Sequence, residues 1–425
     1  MKIYRGGTVI RATGRAEGQD LWVERDEVRG VGSATDAAPE GAEVIDCTGK
    51  ILFPSLYDVH VHLGSPAEGE KGESLETAVA AAMRGGITGM VVLANPYGDM
   101  DHESAIASFR EKTRNLLIEV EVAGCLTKGG EGRQLAAMGG MKAAGVAFLT
   151  DGDVAVENAQ LLRRAIEYAQ NFDLLIATHA DTPSLSCRGV MNEGKVAYQL
   201  GLSGKPALSE EIAVERDVRI AHYVGARLHL RGLSSAGSLR VLRRAREEGA
   251  EVTCEVFPQH LLFDEGQIGE TYDTLYKVNP PLRTAEDRQA LIEALRKGWI
   301  DVIASDHLPC SRYAKQTDFE SAPEGMSGLE TTLVALHHHL IRSGELRWED
   351  LVRSYSQAPR TLLNQKAVTL EEGSSADFVI FDPGMTTHFQ EETYASRGRN
   401  CPFLGQELEG GVDEVIFRGE SVWKR

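Results

Sequence analysis

Long apolar runs are missing from this 425-residue chain, and with them the stretch of roughly 20 residues that a membrane helix needs. Its beginning, MKIYRGGTVIRATGR, alternates as a strand does and lacks the apolar core of a secretory leader. Basic charge is short as well: 45 Lys and Arg stand against 63 Asp and Glu, a formal net charge of −18. A field of that sign repels phosphate backbones and anionic lipid, so neither nucleic acid nor a membrane is an expected partner. The six cysteines (Cys47, Cys125, Cys187, Cys254, Cys310, Cys401) are scattered and form no CxxC. That excludes a disulfide framework and points to reduced thiols in a cytoplasm. What is present is the composition of a globular protein, 42% hydrophobic and 25% charged. The length suits one large α/β barrel with added structure, or two or three ordinary domains.

From residue 51 onward, eight apolar runs alternate with amphipathic stretches. The runs are ILFPSLYDVHVHLG, GITGMVVLANP, EVEVAGCL, GVAFLTDGD, DLLIATHAD, ARLHLRGLSS, EVTCEVFPQH and IDVIASDHL. Between them, segments such as ESLETAVAAAMRGG and ENAQLLRRAIEYAQ are apolar at i, i+3 and i+4. Eight such units predict a (β/α)8 barrel over 53–365, and most of the strands end in polar groups, where a barrel's catalytic mouth lies. The two ends, 1–52 and 366–425, read as short strands joined by turns and predict one small β-sandwich domain built from both termini. The polar segment CSRYAKQTDFESAPEGMSG after the eighth strand is expected to be a mobile flap. His337, His338 and His339 fall in a helical pattern; adjacent helix positions diverge by about 100°, so a solvated face is expected there and not a ligand cluster.

The stretch DVHVHLG sets His60 and His62 two apart, which in a strand aims both imidazoles to one side. His179 ends the fifth run and Asp306 the eighth. Across a closed barrel these four can hold one Zn²⁺ with a water, lowering that water's pKa towards about 7. A core histidine with satisfied hydrogen bonds is the plainer account of His222, His229 and His260.

DVHVHLGSP, THAD, EVFPQHLLF, YKVNPPLR, IASDHLPC and GLETT, in that order, resemble the signposts of the amidohydrolase superfamily. They are most similar to the dihydroorotases, near the allantoinases and dihydropyrimidinases. The resemblance covers almost the whole chain, and SSADFVIFDP and FRGESVW fit that family's ending. It implies a zinc-dependent hydrolase that opens a cyclic amide through a metal-activated water, in the context of pyrimidine biosynthesis. Carried over, His60 and His62 are first-strand ligands, His179 is the fifth-strand ligand, and Asp306 is ligand and general base. Asn95 and Asn279 fall on substrate-contacting positions.

Several positions depart from the pattern. Gly64 stands where the family has an arginine for the substrate carboxylate, and Gly232 where the sixth strand has a zinc-binding histidine. Gly152 falls at the metal-bridging position between Asp151 and Asp153, of which one and not both is expected to reach the metal, Asp151 being taken as that carboxylate, and Cys310 replaces a histidine. These changes imply one zinc per chain and an incomplete second site. They leave two readings open. One is a cyclic amidohydrolase with a reduced, mononuclear centre; the other is an inactive homologue serving as a structural partner of aspartate transcarbamoylase. A homodimer is expected in either case.

Overall fold

The computed structural model describes residues 1–11, 14–33, 38–63, 72–93 and 100–425. Gly64 and Asn95 lie outside the described residues. One eight-stranded sheet gathers both ends of the chain. Its strands are β1 (Lys2–Arg11), β2 (Gly14–Glu24), β3 (Glu27–Ser33), β4 (Glu43–Asp46), β5 (Ile51–Pro54), β15 (Phe378–His388), β16 (Glu407–Phe417) and β17 (Glu420–Lys424). β5 joins the two termini, running parallel to β1 and antiparallel to β15.

Only Ser55 separates β5 from β6 (Leu56–Val61), the first strand of a second unit. β6, β7 (Ile87–Val92) and β8 (Glu119–Val122) form one parallel arc. β9 (Ile176–His179), β12 (Leu228–Arg231), β13 (Val252–Val256) and β14 (Val302–Ile303) form another, while the short β10 (Met191–Asn192) and β11 (Gly204–Lys205) pair with each other. Leu149 bridges to Gly124 on one side and Ile176 on the other, and Val61 bridges to His307. These contacts close the arcs into a ring in which residues 146–150 serve as the fourth strand. All eight expected runs take part, and the fold is a (β/α)8 barrel beside a sheet domain made from both termini. The buried carboxylate of Asp58 clasps the seam: it accepts from the backbone of Ser305 at 3.1 Å, from His60 N at 3.0 Å and from Tyr355 Oη at 2.8 Å.

The helices follow their sequence signals. Ser74 and Thr77 form a reciprocal capping box before Leu75–Arg84, and Asn158, Ser235 and Thr284 cap Ala159–Gln170, Ala236–Glu247 and Ala285–Arg296. In Ala159–Gln170 the buried residues are Leu162, Ala165, Ile166 and Ala169, the i, i+3, i+4, i+7 stripe that packs on the barrel.

Two expectations change. His337 is buried and not on a solvated face: its Nδ1 lies 2.9 Å from Glu409 O and its ring packs on Phe381 and Trp348, so it helps seat the barrel on the sheet. The expected flap is held down. Lys315, 4% exposed, donates to the carbonyls of Thr274, Lys277 and Pro323, which fixes the segment over the mouth. No two of the six cysteines are joined, and no helix of the described residues is long and apolar enough to cross a membrane.

Candidate active site

His60 and His62 do converge: their Nε2 atoms lie 3.3 Å apart at the end of β6, both fully buried. One ligand atom from each, with a carboxylate oxygen of Asp153, falls within 4.8 Å of the others. Burial keeps both imidazoles neutral, holding His62 down to about 3. Asp153 is held below the usual carboxylate range. Desolvation works against this, but the charge of the Arg231 guanidinium outweighs it. Its side chain remains 37% accessible, so water screens part of that field.

The other expected residues divide. His179 ends β9 with its Nε2 buried and unpartnered; burial, then the Lys205 charge, lower it to about 4. Asp306 Oδ1 lies 3.4 Å from His60 Nε2, and its Oδ2 accepts from Gln259 Nε2 at 2.8 Å. Desolvation, then the negative charge of Asp153, raise its carboxyl well above the ordinary value. Asp151 is turned away from the ligand group. It accepts from Thr127 N at 2.8 Å and Thr127 Oγ1 at 2.6 Å, and Gly152 at φ +63° reverses the chain between the two aspartates. Asn279 Oδ1 accepts from Lys205 Nζ at 2.9 Å, and the same ammonium lies 3.0 Å from Asp181.

The sequence reading missed the group's most consequential member. Arg231, at the end of β12 and 2% exposed, sends its guanidinium into the ligand group. It donates to Gly152 O at 2.6 Å and Thr150 Oγ1 at 3.1 Å, and its Nη2 lies against the ring of His60. Asp153 and Glu255 carboxylates stand 3.9 and 3.8 Å from it. Glu255 was missed too. Its Oε1 lies 2.6 Å from His60 Nδ1 and its Oε2 3.1 Å from His229 Nε2. His229 also meets Thr253 Oγ1 at 2.8 Å through Nδ1, a fully satisfied core histidine.

Gly232 follows with φ +59°, and Phe257 fills the space ahead of it. A Cβ there would lie 2.7 Å from the ring's Cε2 and Cζ. Phe257 also meets the His60 ring edge to face at 4.8 Å. The region where a second ion would need ligands is thus built from an aromatic ring and a cation.

The fit to one ion is better. Buried polar atoms normally find partners, yet His62 Nδ1 and His179 Nε2 have none. Glu255 orients His60 as a carboxylate orients a metal-ligating histidine. His60, His62 and Asp153 are therefore suited to one divalent ion, with His179 beside them.

The chain belongs to the amidohydrolase family, whose model matches residues 51–422. Its relatives include the dihydroorotase of Pelotomaculum thermopropionicum, 39% identical over 422 residues that cover 99% of this chain and 98% of that one. The dihydroorotase of Desulfotalea psychrophila is 40% identical over 425 residues, covering 100% and 99%. Among solved structures, dihydropyrimidinase from Brevibacillus agri NCHU1002 superposes with a TM-score of 0.84 at 25% identity, over 100% of this chain and 95% of that one. D-hydantoinase from Bacillus sp. AR9 gives 0.84 at 26%, with the same coverage.

Proposed function

We propose that this protein hydrolyses the ring amide of a small cyclic substrate of the dihydroorotate type, using one zinc ion held by His60, His62 and Asp153 with His179 beside it. The observation that carries the reading is the meeting of two neutral buried imidazoles with the ionised Asp153, within 4.8 Å, beside the Asp306 carboxyl. When bound, the ion would supply Lewis acidity for a water or for the amide carbonyl. Water adds its oxygen to the amide carbon and the ring C–N bond breaks. Asp306 is placed to carry the proton from that water to the departing nitrogen, and Gln259 fixes its orientation. Lys205, between Asp181 and Asn279, offers a cation for the substrate carboxylate where Gly64 cannot. Asn279 and Asn95 are assigned to the substrate's polar edges. Pyrimidine synthesis is supported by the full-length likeness to proteins named dihydroorotase, and a cytoplasmic location and a homodimer belong to the same proposal.

A second reading has its own support. Arg231 against His60, and Phe257 in front of Gly232, occupy space that a working metal centre would use. They favour a non-catalytic homologue acting as a partner of aspartate transcarbamoylase. The deciding experiment measures metal content and dihydroorotate turnover for protein purified without chelator, with and without an aspartate transcarbamoylase, beside His62→Asn. Metal-dependent turnover abolished in the variant supports the hydrolase. Metal-loaded protein that never turns over favours the partner role.

A further inference from the structure

We propose that Arg231 is a built-in competitor of the metal ion: its guanidinium sets a fixed positive charge against His60, at the mouth where a divalent cation would bind. The proposal rests on the reading of the mouth as a metal site. Glu255 Oε1, 2.6 Å from His60 Nδ1, fixes the proton on that nitrogen. Nε2 is left with its lone pair directed at the mouth, the state in which a histidine ligates a metal. Arg231 Nη2 stands against the same ring, in contact with Nε2 and 3.1 Å from Nδ1, so its charge and volume lie beside the atom an ion would approach.

The arginine is no passing visitor. Gly152 O and Thr150 Oγ1 receive its Nη1, and carboxylates on two sides, Asp153 and Glu255, balance its charge. Two departures in the sequence act together here. Gly152, at φ +63°, turns its carbonyl to the arginine instead of presenting a bridging carboxylate, and Gly232 leaves no side chain beside it. To bind an ion through His60, the protein must hold a second cation close to a buried guanidinium or move that guanidinium aside. Either requirement lowers affinity, since electrostatic interactions are strong where water is excluded.

The test is titration of the metal-stripped full chain with Zn²⁺ by calorimetry, and with Co²⁺ by its visible absorption, for the native protein, Arg231→Met and Arg231→Lys. Methionine keeps the apolar volume without the charge. Lysine keeps the charge but cannot span Gly152, Thr150 and His60 at once, and it carries the test if the methionine variant does not fold. The expected result is one ion per chain bound at least about tenfold tighter in Arg231→Met, the scale on which metal sites respond to changes around their ligands, and about threefold tighter in Arg231→Lys. If the native protein binds one ion and the folded variants stay within about twofold of it, the competition is refuted while the metal site stands. If none of the three binds an ion, the metal reading itself falls, and this proposal with it.

Discussion

Adding one methyl group at Gly232 drives it against the Phe257 ring, and the consequence can be worked out from the structure. The new Cβ would sit 2.7 Å from two ring carbons and 3.4 Å from Pro280 Cδ, while the backbone stays at φ +59°. Holding a residue with a side chain in the left-handed region costs about 1–2 kcal/mol, and forcing extra volume into a packed core costs about 1–3 kcal/mol more. Gly232→Ala should therefore lose about 2–5 kcal/mol in urea unfolding monitored by circular dichroism. In a Phe257→Ala background the clash is gone and only the backbone part remains, about 1–2 kcal/mol, so the two sites should couple by about 1–3 kcal/mol. Restoring a histidine at Gly232 alone is likewise expected to unsettle the barrel and not to rebuild a second metal site, because the aromatic ring already holds its place. A Gly232→Ala protein within about 0.5 kcal/mol of native, or one equally damaged in both backgrounds, would refute this account of why the position is glycine.

Three further outcomes follow from the site and its surroundings. His260 is buried with its Nε2 2.9 Å from Pro280 O, and burial lowers it to about 4; the unfolded chain takes up this proton near 6.5 and the folded one does not. Stability should accordingly fall as pH drops from 6.5 to 4 and level off below, by an upper bound on the order of 3 kcal/mol; His260→Gln should flatten that part of the urea-stability profile, and an unchanged profile would contradict it. Asp306→Asn should retain metal, measured per chain, and lose about 10²–10⁴ in turnover if its proton is the one transferred; a fully active variant would remove Asp306 from the reaction. Lys205→Met should raise KM for dihydroorotate about tenfold or more with less effect on kcat, as expected for a lost charge-assisted contact worth about 1.5–3 kcal/mol; an unchanged KM would place the substrate carboxylate elsewhere.

The barrel was legible in the sequence because its signals are local. Each strand is a short apolar run, and each main helix carries its own cap and stripe. The meeting of His60 and His62 was legible for the same reason, since an i, i+2 spacing survives in any strand. The two aspartates flanking Gly152 were harder. A positive φ at that glycine sends Asp151 to Thr127 and Asp153 to the mouth, and spacing alone does not tell which goes where. Arg231 is masked by the more conspicuous Gly232 beside it, although an arginine at the C-terminal end of a barrel strand is itself a signal. The burial of His337 is not legible in its helical pattern because it depends on contacts with Glu409, some seventy residues away. Long-range packing of this kind leaves no periodic trace.

The central claim is a one-metal hydrolytic mouth, and the direct test is dihydroorotate hydrolysis by the metal-stripped chain as Zn²⁺ is restored to one equivalent. The account predicts turnover that rises with the first equivalent, stays below a kcat/KM of about 10⁴ M⁻¹s⁻¹, and is absent in His62→Asn. Zinc-loaded protein with no turnover above that of His62→Asn would contradict it.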